Sequence, residues 1–265
     1  MKIDPFLLKD VENISHLQPA GWNDIIPHFI FYASTPYCHP IKMTLEDKIT
    51  GIGCAIKFPS SGWLAHIIVD PSFRNKGIGT SITKYLMEWL QRENNNPLQL
   101  IATDMGEPVY LKLGFKTITE YVFFSGSLSL NPNQHMIYPY EKKFTDQIFQ
   151  LDQNVSGDDR RELLEPHLPT MKLYMENQQI LGFYAPKLGE GMILAKQPVA
   201  GFELLRTKHF KNYTRTVFPI QNLLAFDFFK NNGFLFERKA VRMALGKKLR
   251  WRPEFVYSRI GGNLG

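Results

Sequence analysis

Cysteine is scarce in this sequence, and long apolar runs are missing from it. The 265 residues include two cysteines, Cys38 and Cys54, which are too few for a disulfide framework and lack the paired spacing of a zinc site. We interpret both as structural thiols, because free cysteines are usually buried. No stretch approaches the roughly 20 consecutive apolar residues of a membrane-spanning helix. Residues 1–5 lack the cationic and then apolar pattern of a secretory leader. These absences predict a globular, cytoplasmic protein without a membrane partner.

Acidic residues are outnumbered by basic ones. Lys and Arg total 31 against 25 for Asp and Glu, which gives a net charge of +6. The cations are dispersed except in residues 247–252, and no recognised DNA- or RNA-binding motif accompanies them. We interpret the excess as a solvated basic surface that also suits an anionic ligand, and we expect no nucleic-acid partner. A nucleic-acid-associated modifier stays open as an alternative that rests on basicity alone.

The length of the chain favours two domains. Apolar residues make up 44% of the sequence and aromatic residues 13%, which is enough for a core in each domain. Turn-forming residues at 125–127 and again at 131–133 indicate a boundary. We therefore predict domains over residues 1–126 and 139–265, with a linker over 127–138.

Residues 64–115 carry the most informative pattern. The apolar, β-branched run 64–69 predicts a buried strand that ends at Asp70. Gly77 and Gly79 follow with two cations beside them, and the spacing of apolar residues from 78 to 90 predicts a helix. Glycines allow a ligand to approach the backbone, and the free N–H groups and dipole of a helix start favour phosphate. The pattern therefore predicts an anion site.

Two common nucleotide motifs fit this loop poorly. It lacks the Gly-Lys-Ser/Thr ending of a P-loop, and it has two glycines where a dinucleotide fingerprint has three. Residues 74–79 instead resemble the Arg/Gln-x-x-Gly-x-Gly/Ala loop of the GCN5-related N-acetyltransferases, the GNAT superfamily. Residues 109–115 are similar to the Leu-Tyr-x-x-x-Gly-Phe segment of that family, a helix that carries a tyrosine and stops at a glycine. The two motifs occur in the family's order and spacing.

The resemblance implies a fold, a reaction and a site. The implied fold class is α/β (α+β), with tandem GNAT-like folds that each have a mixed, mostly antiparallel central sheet flanked by helices. The implied reaction is transfer of an acetyl group from acetyl-CoA, the acyl-donor substrate, to a primary amine of a small molecule or peptide by direct attack. No metal is expected. The residues implied to bind acetyl-CoA are Ile67, Ile68, Val69, Arg74, Asn75, Lys76, Gly77, Ile78, Gly79 and Thr80.

Tyr110 is the implied catalytic residue. The tyrosine of the family occupies this helix position, where its hydroxyl can protonate the departing CoA thiolate. The oxyanion is held in the family by a backbone N–H, which falls here near Ile68 or Val69. The alternative for Tyr110 is a packing residue whose hydroxyl is bonded to backbone.

The general base has no matching residue in the sequence. Relatives with a glutamate on the cofactor strand carry it at the position of Trp63. His66 is a substitute, but strand alternation places it on the opposite face from Trp63 and Ala65 unless a bulge intervenes, and a core or edge histidine is the alternative. Asp104 lies near the next strand end, where an N-cap role explains it equally well. Several family members use a chain of waters, so a missing base does not exclude catalysis.

The second half repeats part of this pattern without its chemistry. Residues 222–234 repeat the helix followed by Gly-Phe, which predicts an internal repeat of the same fold. Phe229 stands where Tyr110 stands in the first half, and phenylalanine has no proton to donate. Residues 199–202 hold one glycine where the first loop holds two. This half resembles the degenerate C-terminal domain of a two-domain acetyltransferase subgroup.

Two hypotheses therefore stand beside the nucleic-acid alternative. The first is an acetyl-CoA-dependent N-acetyltransferase. The second is a CoA-binding sensor or partner-binding module without turnover, favoured by the missing base and the degenerate second half. The sequence leaves open the amine, the acyl chain and the oligomeric state, a homodimer included.

Overall fold

The computed structural model describes residues 2–265, except for the side chain of Gln134. The chain divides into two compact units. The first unit contains the residues up to Lys116 together with Met243–Lys247, and the second contains Thr117–Arg242 and Lys248–Gly265. No helix in residues 2–265 has the length and apolar character needed to cross a membrane.

The first unit is a mixed, mostly antiparallel sheet flanked by helices. Its strands follow the order β1-β2-β3-β4-β5, and neighbours are antiparallel except for β4 and β5, which are parallel. Cys38 and Cys54, on the second and third strands, are free thiols, and Cys54 is buried. The elements in chain order are β1 (Lys2–Pro5), α1 (Ile26–Ser34), β2 (Cys38–Leu45), β3 (Lys48–Lys57), β4 (Gly62–Val69), α2 (Ile78–Arg92), β5 (Leu98–Ala102) and α3 (Glu107–Lys112).

Helix α2 lies close against β3 because a glycine of that strand faces it. A Cβ on Gly53 would come within 2.8 Å of the Ile82 side chain, so only glycine permits this approach. The helical spacing predicts six apolar residues of α2 to face inward. Four of them, Ile78, Ile82, Leu86 and Leu90, are buried, while Tyr85 and Trp89 are half-buried. This packing fixes the start of α2 beside the end of β4 and confirms the predicted strand, loop and helix.

The second unit contains two groups of paired strands. One follows the order β12-β6-β11 and the other β13-β10-β9-β8-β7. Its core is rich in phenylalanine, with Phe124, Phe218 and Phe229 stacked on one another. The elements in chain order are β6 (Lys116–Gly126), β7 (Ile137–Pro139), α4 (Thr145–Ser156), α5 (Arg161–Leu164), β8 (Lys172–Glu176), β9 (Gln179–Ala185), β10 (Met192–Ala195), α6 (Pro198–His209), β11 (Thr214–Pro219), α7 (Leu223–Asn231), β12 (Leu235–Leu245) and β13 (Val256–Ser258).

The edges of these units differ from the predicted domain boundaries, and strand pairing explains the difference. Residues 121–126 of β6 pair with 214–219 of β11, so most of β6 belongs to the second unit. Within the predicted linker 127–138, Leu128 bridges to Phe210 and β7 pairs with β8, so this segment is part of the second unit. The short return of Met243–Lys247 to the first unit is held by Lys247, whose backbone N–H donates to Asn96 Oδ1 at 2.7 Å.

A buried ion pair joins α4 to the turn before α5 in the second unit. Arg160 donates from Nε and Nη2 to the two carboxylate oxygens of Asp152, at 3.0 and 2.5 Å. Both side chains are buried. A charge in such a place is tolerated only while its partner remains.

Replacing Asp152 should therefore destabilise the second unit. In Asp152→Asn the Arg160 charge loses its closest anion, and we expect the free energy of unfolding of this unit to fall by about 3 kcal/mol. Hydrogen exchange of second-unit peptides, followed through a urea series, measures the change. Glu141→Gln removes the exposed partner of Lys143 and is the matched control, expected to cost less than about 1 kcal/mol. Equal losses in the two variants would contradict the assigned role of the buried pair.

Candidate functional site

The loop between β4 and α2 presents backbone N–H groups to solvent. Gly77, the residue before α2, has a left-handed φ of +79°, and Asn75 has one of +60°. In the part of the chain that the structure describes, no side chain caps the first turn of α2. Asn75, Lys76 and Gly77 are exposed. The N–H groups of the helix start are therefore available to an anion.

The space and charge around this loop also fit an anion. A Cβ on Gly77 would meet no atom within 4 Å, so the backbone there can be approached closely. Arg74 donates from Nε to the Val69 carbonyl at 3.3 Å, and the Lys76 ammonium lies 4.9 Å from the centre of the Phe73 ring. Within residues 2–265 neither cation forms an ion pair, so both charges remain available to a phosphate-bearing ligand.

Asp70 anchors the entry to the loop. Its carboxylate accepts hydrogen bonds from the Lys48 ammonium at 2.7 Å and from the Ser72 N–H at 2.8 Å. The hydrogen bond from Lys48, and after it the one from Ser72, lower the pKa of the Asp70 carboxyl, so the anchor stays charged at neutral pH. From the sequence, Asp70 is predicted only to end the strand. An aspartate two residues before a serine in a turn is a capping signal that could have revealed this role.

Strands β4 and β5 separate soon after they begin to pair. Within the described residues their ladder consists of 62–63 opposite 98–99. Both strands continue beyond that point, to Val69 and Ala102. The backbone of residues 67–69 therefore has no β5 partner on that side. The predicted ligand-binding residues of β4 lie on this separated part of the strand.

A β-bulge at His66 accompanies this separation. Residues 65–68 of β4 lie opposite 52–54 of β3, so one extra residue is accommodated on β4. His66 has a left-handed φ of +47°. Strict alternation would place its ring with Leu64 on the α2 side of the sheet, but the bulge turns it toward α1. The intervening bulge was the condition that the sequence analysis left open, and the structure contains it.

His66 belongs to a cluster of aromatic and imidazole rings, here called the ring cluster: Trp22, His28, Phe29, Tyr32 and His66. Tyr32 Oη lies 2.6 Å from His66 Nδ1. The ring centres of His28 and Trp22 lie 4.5 and 5.9 Å from that of His66. Burial, and then the charge of His28, lower the pKa of His66 to about 3, so its imidazole is neutral at physiological pH. Sequence reasoning missed the α1 members because nothing local links them to β4.

Tyr110 lies on α3, the helix that follows β5. The helix ends as predicted, because Gly114 has a φ of +89° and Phe115 donates its N–H to the Tyr110 carbonyl at 3.1 Å. The half-buried Tyr110 ring lies edge-on to Phe115, while its hydroxyl bonds to no other described residue. The alternative of a hydroxyl bonded to backbone is therefore absent from the described structure. Burial raises the pKa of Tyr110 to about 12, so the phenol keeps its proton at physiological pH.

Of the two candidate base positions next to β4 and β5, one holds no carboxylate and the other holds an exposed one. Trp63 is buried with its indole ring in the core. At the end of β5, Thr103 accepts the Gly106 N–H at 3.3 Å, so Thr103 rather than Asp104 caps the turn before α3. Asp104 is exposed. Because β4 and β5 are parallel, α2 and α3 both start from the same edge of the sheet, which brings the loop and the Tyr110 helix to one side.

In the part of the second unit that the structure describes, the corresponding opening is filled. Strand β13 pairs with β10, and the Arg259 N–H after it donates to the Val217 carbonyl of β11 at 2.8 Å. The C-terminal strand therefore fills the space between β10 and β11. At the start of α6 the ring of Tyr257 lies against Gly201. Phe229, at the place of Tyr110, is fully buried in the aromatic core.

A mixed sheet whose parallel strands separate, a glycine turn that opens a helix, and a tyrosine on the next helix define the acetyltransferase fold of the GNAT class. Residues 32–131 match the family model described as an acetyltransferase (GNAT) domain. Over these residues, which make up less than half of the sequence, the chain is similar to the GNAT acetyltransferases.

One curated relative is similar to part of the chain. The uncharacterised N-acetyltransferase YobR of Bacillus subtilis is 28% identical over 125 residues, which cover 45% of this chain and 47% of that protein. The match thus spans about half the length of this curated relative.

Solved structures share the fold over nearly the whole chain. A proposed acetyltransferase from Pyrococcus horikoshii has a TM-score of 0.84 at 19% identity, with 100% of this chain and 95% of that one covered. A GCN5-related N-acetyltransferase from Sphaerobacter thermophilus has a TM-score of 0.63 at 10% identity, with 94% and 98% covered. At these identities the likeness concerns the fold alone.

The burial of Tyr110 predicts how its phenol titrates. Its phenol should keep its proton at pH values where an ordinary tyrosine, with a pKa of about 10, has ionised. The measurement is near-ultraviolet phenolate absorbance against pH, taken as the difference between wild type and Tyr110→Phe, with circular dichroism to confirm that the chain is folded. A difference signal centred near 10 would show that the hydroxyl is hydrated and the burial argument is wrong.

Proposed function

We propose that this protein is an acetyl-CoA-dependent N-acetyltransferase that acetylates a primary amine of a small molecule or peptide by direct attack. The observation that carries the proposal is the uncapped, unobstructed glycine turn at the start of α2, placed directly after a strand that leaves its parallel neighbour. The match of residues 32–131 to the acetyltransferase (GNAT) domain supports it. Cytoplasmic residence remains a prediction from the sequence.

The loop and the strand end bind different parts of acetyl-CoA. Residues 75–80 offer free backbone N–H groups to the pyrophosphate, and Arg74 and Lys76 offer unpaired cations. Residues 67–69 offer backbone groups that β5 does not occupy, and an N–H near Ile68 or Val69 would bind the thioester oxygen. An oxyanion donor of this kind is typically worth 10²- to 10³-fold in rate.

Tyr110 supplies the proton that the departing sulfur takes up. As the amine lone pair forms the C–N bond and the C–S electron pair moves to sulfur, the Tyr110 hydroxyl donates to that sulfur. The surplus proton of the nitrogen leaves to water, and solvent restores the proton of Tyr110. A phenol with a pKa of about 12 gives up its proton only where burial also raises the pKa of the thiol, which normally lies near 8.5. The proposed step therefore requires both groups to share one dry environment.

A CoA-binding sensor without turnover is the second candidate. It is favoured by the absence of a carboxylate from the ring cluster and from the residues predicted to hold acetyl-CoA, among residues 2–265. Release of free thiol from acetyl-CoA in the presence of a panel of primary amines separates the two functions, because only the enzyme couples thiol release to amine consumption.

The donor site can be tested at Gly77. In Gly77→Asp a carboxylate enters the space proposed for the pyrophosphate, and like-charge repulsion should weaken acetyl-CoA binding by at least about 100-fold. Isothermal titration calorimetry measures the dissociation constant. Gly77→Asn is the matched control, because asparagine has the same size, tolerates the left-handed backbone and carries no charge, so it should lose far less affinity.

The same titration counts the sites. Because β13 and Tyr257 occupy the corresponding places in the second unit, we expect one acetyl-CoA per chain. A folded Gly77→Asp variant with wild-type affinity, or a second equivalent site in the wild type, would contradict this assignment.

The role of Tyr110 predicts a loss in turnover. Tyr110→Phe keeps the ring on Phe115 and removes the donor, so acetyl-CoA affinity should hold while kcat falls by roughly 10²- to 10⁴-fold, about 2.7 to 5.5 kcal/mol. Thiol release at saturating acetyl-CoA with the best amine measures it. Tyr85→Phe, which changes a tyrosine stacked on His39, is the control and should keep full activity. An unchanged kcat in Tyr110→Phe, with chemistry rate-limiting, would mean that Tyr110 only packs.

A further inference from the structure

The ring cluster is the part of the first unit that donor binding does not use. His66 sits in the bulge, directly before the strand end proposed to hold the thioester. Its Nδ1 is bonded to Tyr32, while within the described residues its Nε2 has no hydrogen-bond partner. One ring nitrogen is therefore held by Tyr32. The other is available next to the strand end proposed to hold the thioester.

The hydrogen bond to Tyr32 decides what the available nitrogen can do. If Nδ1 carries the proton and donates to Tyr32 Oη, then Nε2 holds a lone pair and is an acceptor. A neutral primary amine needs its own lone pair for attack, so it can meet the protein only by donating an N–H. The tautomer with the proton on Nδ1 therefore suits an attacking amine. The low pKa of His66 keeps this ring uncharged, and an uncharged ring does not repel residual ammonium.

The other rings of the ring cluster surround this acceptor with aromatic side chains. Trp22 is exposed, and its ring is steeply inclined to that of His66. His28 is half-buried, and its ring centre lies 4.5 Å from that of His66. Phe29 and Tyr32 are fully buried. The rings of Trp22 and His28 therefore lie beside His66 where they are partly open to solvent, and an aromatic ligand would pair favourably with such rings.

We propose that the ring cluster is the amine side of the site: Nε2 of His66 accepts a hydrogen bond from the attacking nitrogen, Tyr32 holds the His66 ring, and Trp22 and His28 flank the flat ring of an arylalkylamine. The inference rests on the proposed acetyltransferase function and deepens it. The balance of the reaction is unchanged, since the nitrogen forms the C–N bond, sulfur takes the electrons of the C–S bond, and the surplus proton passes to water.

The test compares two amines and three site variants. Phenethylamine and its saturated analogue cyclohexylethylamine share one carbon skeleton and differ in the flatness and π-electrons of the ring. Because they also differ in basicity, their kcat/KM values are compared per neutral amine and as the ratio between wild type and variant. We expect wild type to prefer phenethylamine by about 3- to 10-fold in kcat/KM. Trp22→Leu, a change at an exposed residue, should remove that preference while acetyl-CoA affinity stays constant.

The hydrogen-bonded pair of His66 and Tyr32 is tested separately from the flanking rings of Trp22 and His28. His66→Asn keeps a residue that tolerates the left-handed backbone but does not reach as far, and kcat/KM for phenethylamine should fall by about 10- to 100-fold. Tyr32→Phe, at a positioning residue, should lower kcat by about 10-fold with little change in the KM for the amine. His39→Asn is the matched control, because His39 stacks on Trp89 of α2 at 4.5 Å, among rings that have no proposed role.

The outcomes separate the inference from the function on which it rests. If wild type binds acetyl-CoA but releases no thiol with any amine, the proposed function fails and the inference with it. If wild type is active while His66→Asn and Tyr32→Phe keep its kcat/KM and kcat, the inference alone is overturned. Should His66→Asn fail to fold, Trp22→Leu still tests the inference. An unaltered preference for phenethylamine in that variant contradicts the proposed flanking role of Trp22.

Discussion

The bulge in β4 is the constraint on which the site of the first unit depends. A regular strand would keep its alternation against β3 and direct His66 toward α2. The extra residue at 66 changes the direction of the strand just after its pairing with β5 ends at Trp63 and Gln99. Two consequences follow from this one backbone feature. The backbone of residues 67–69 is released on one side, and the His66 ring is placed against Tyr32 on the other. Left-handed backbone at a histidine is uncommon and is maintained here by the surrounding sheet.

In the second unit the backbone groups at the corresponding place are paired by another strand. Where parallel strands separate, unpaired backbone must be satisfied by a ligand, by water or by another strand. In this unit β13 supplies the partner groups, and Tyr257 and Phe229 fill the adjacent volume with rings. We expect a space filled in this way to stabilise the fold and to leave no room for a cofactor. Phe229, which has no proton to donate, is part of a packed core at the place that Tyr110 takes in the first unit.

Local signals in the sequence predicted the strand, the turn and the helices around the proposed donor site. The apolar run of β4, the glycines at 77 and 79, the helical spacing of α2 and the Gly-Phe stop after Tyr110 each depend on neighbouring residues, so they could be predicted from the sequence. The ring cluster could not, because it depends on a left-handed φ at His66 and on contacts over more than thirty positions of sequence, which no periodicity reveals. The edges of the two units were hard to predict for a similar reason, since the turn-rich stretch near residue 130 is held by strand pairing with distant residues.

Charge in the first unit is distributed according to what each part must bind. The cations Arg74 and Lys76 lie on the exposed loop, where phosphate charge would be met and where water weakens their mutual repulsion. The two groups next to the proposed reaction, Tyr110 and His66, are uncharged, and burial moves the pKa of each away from neutrality so that it stays uncharged. A donor and an acceptor that do not ionise can bond to the leaving sulfur and the attacking nitrogen at any physiological pH. Such a site has little need of a carboxylate base if the amine loses its proton to water before it enters, because an uncharged pocket favours the neutral amine over its ammonium form.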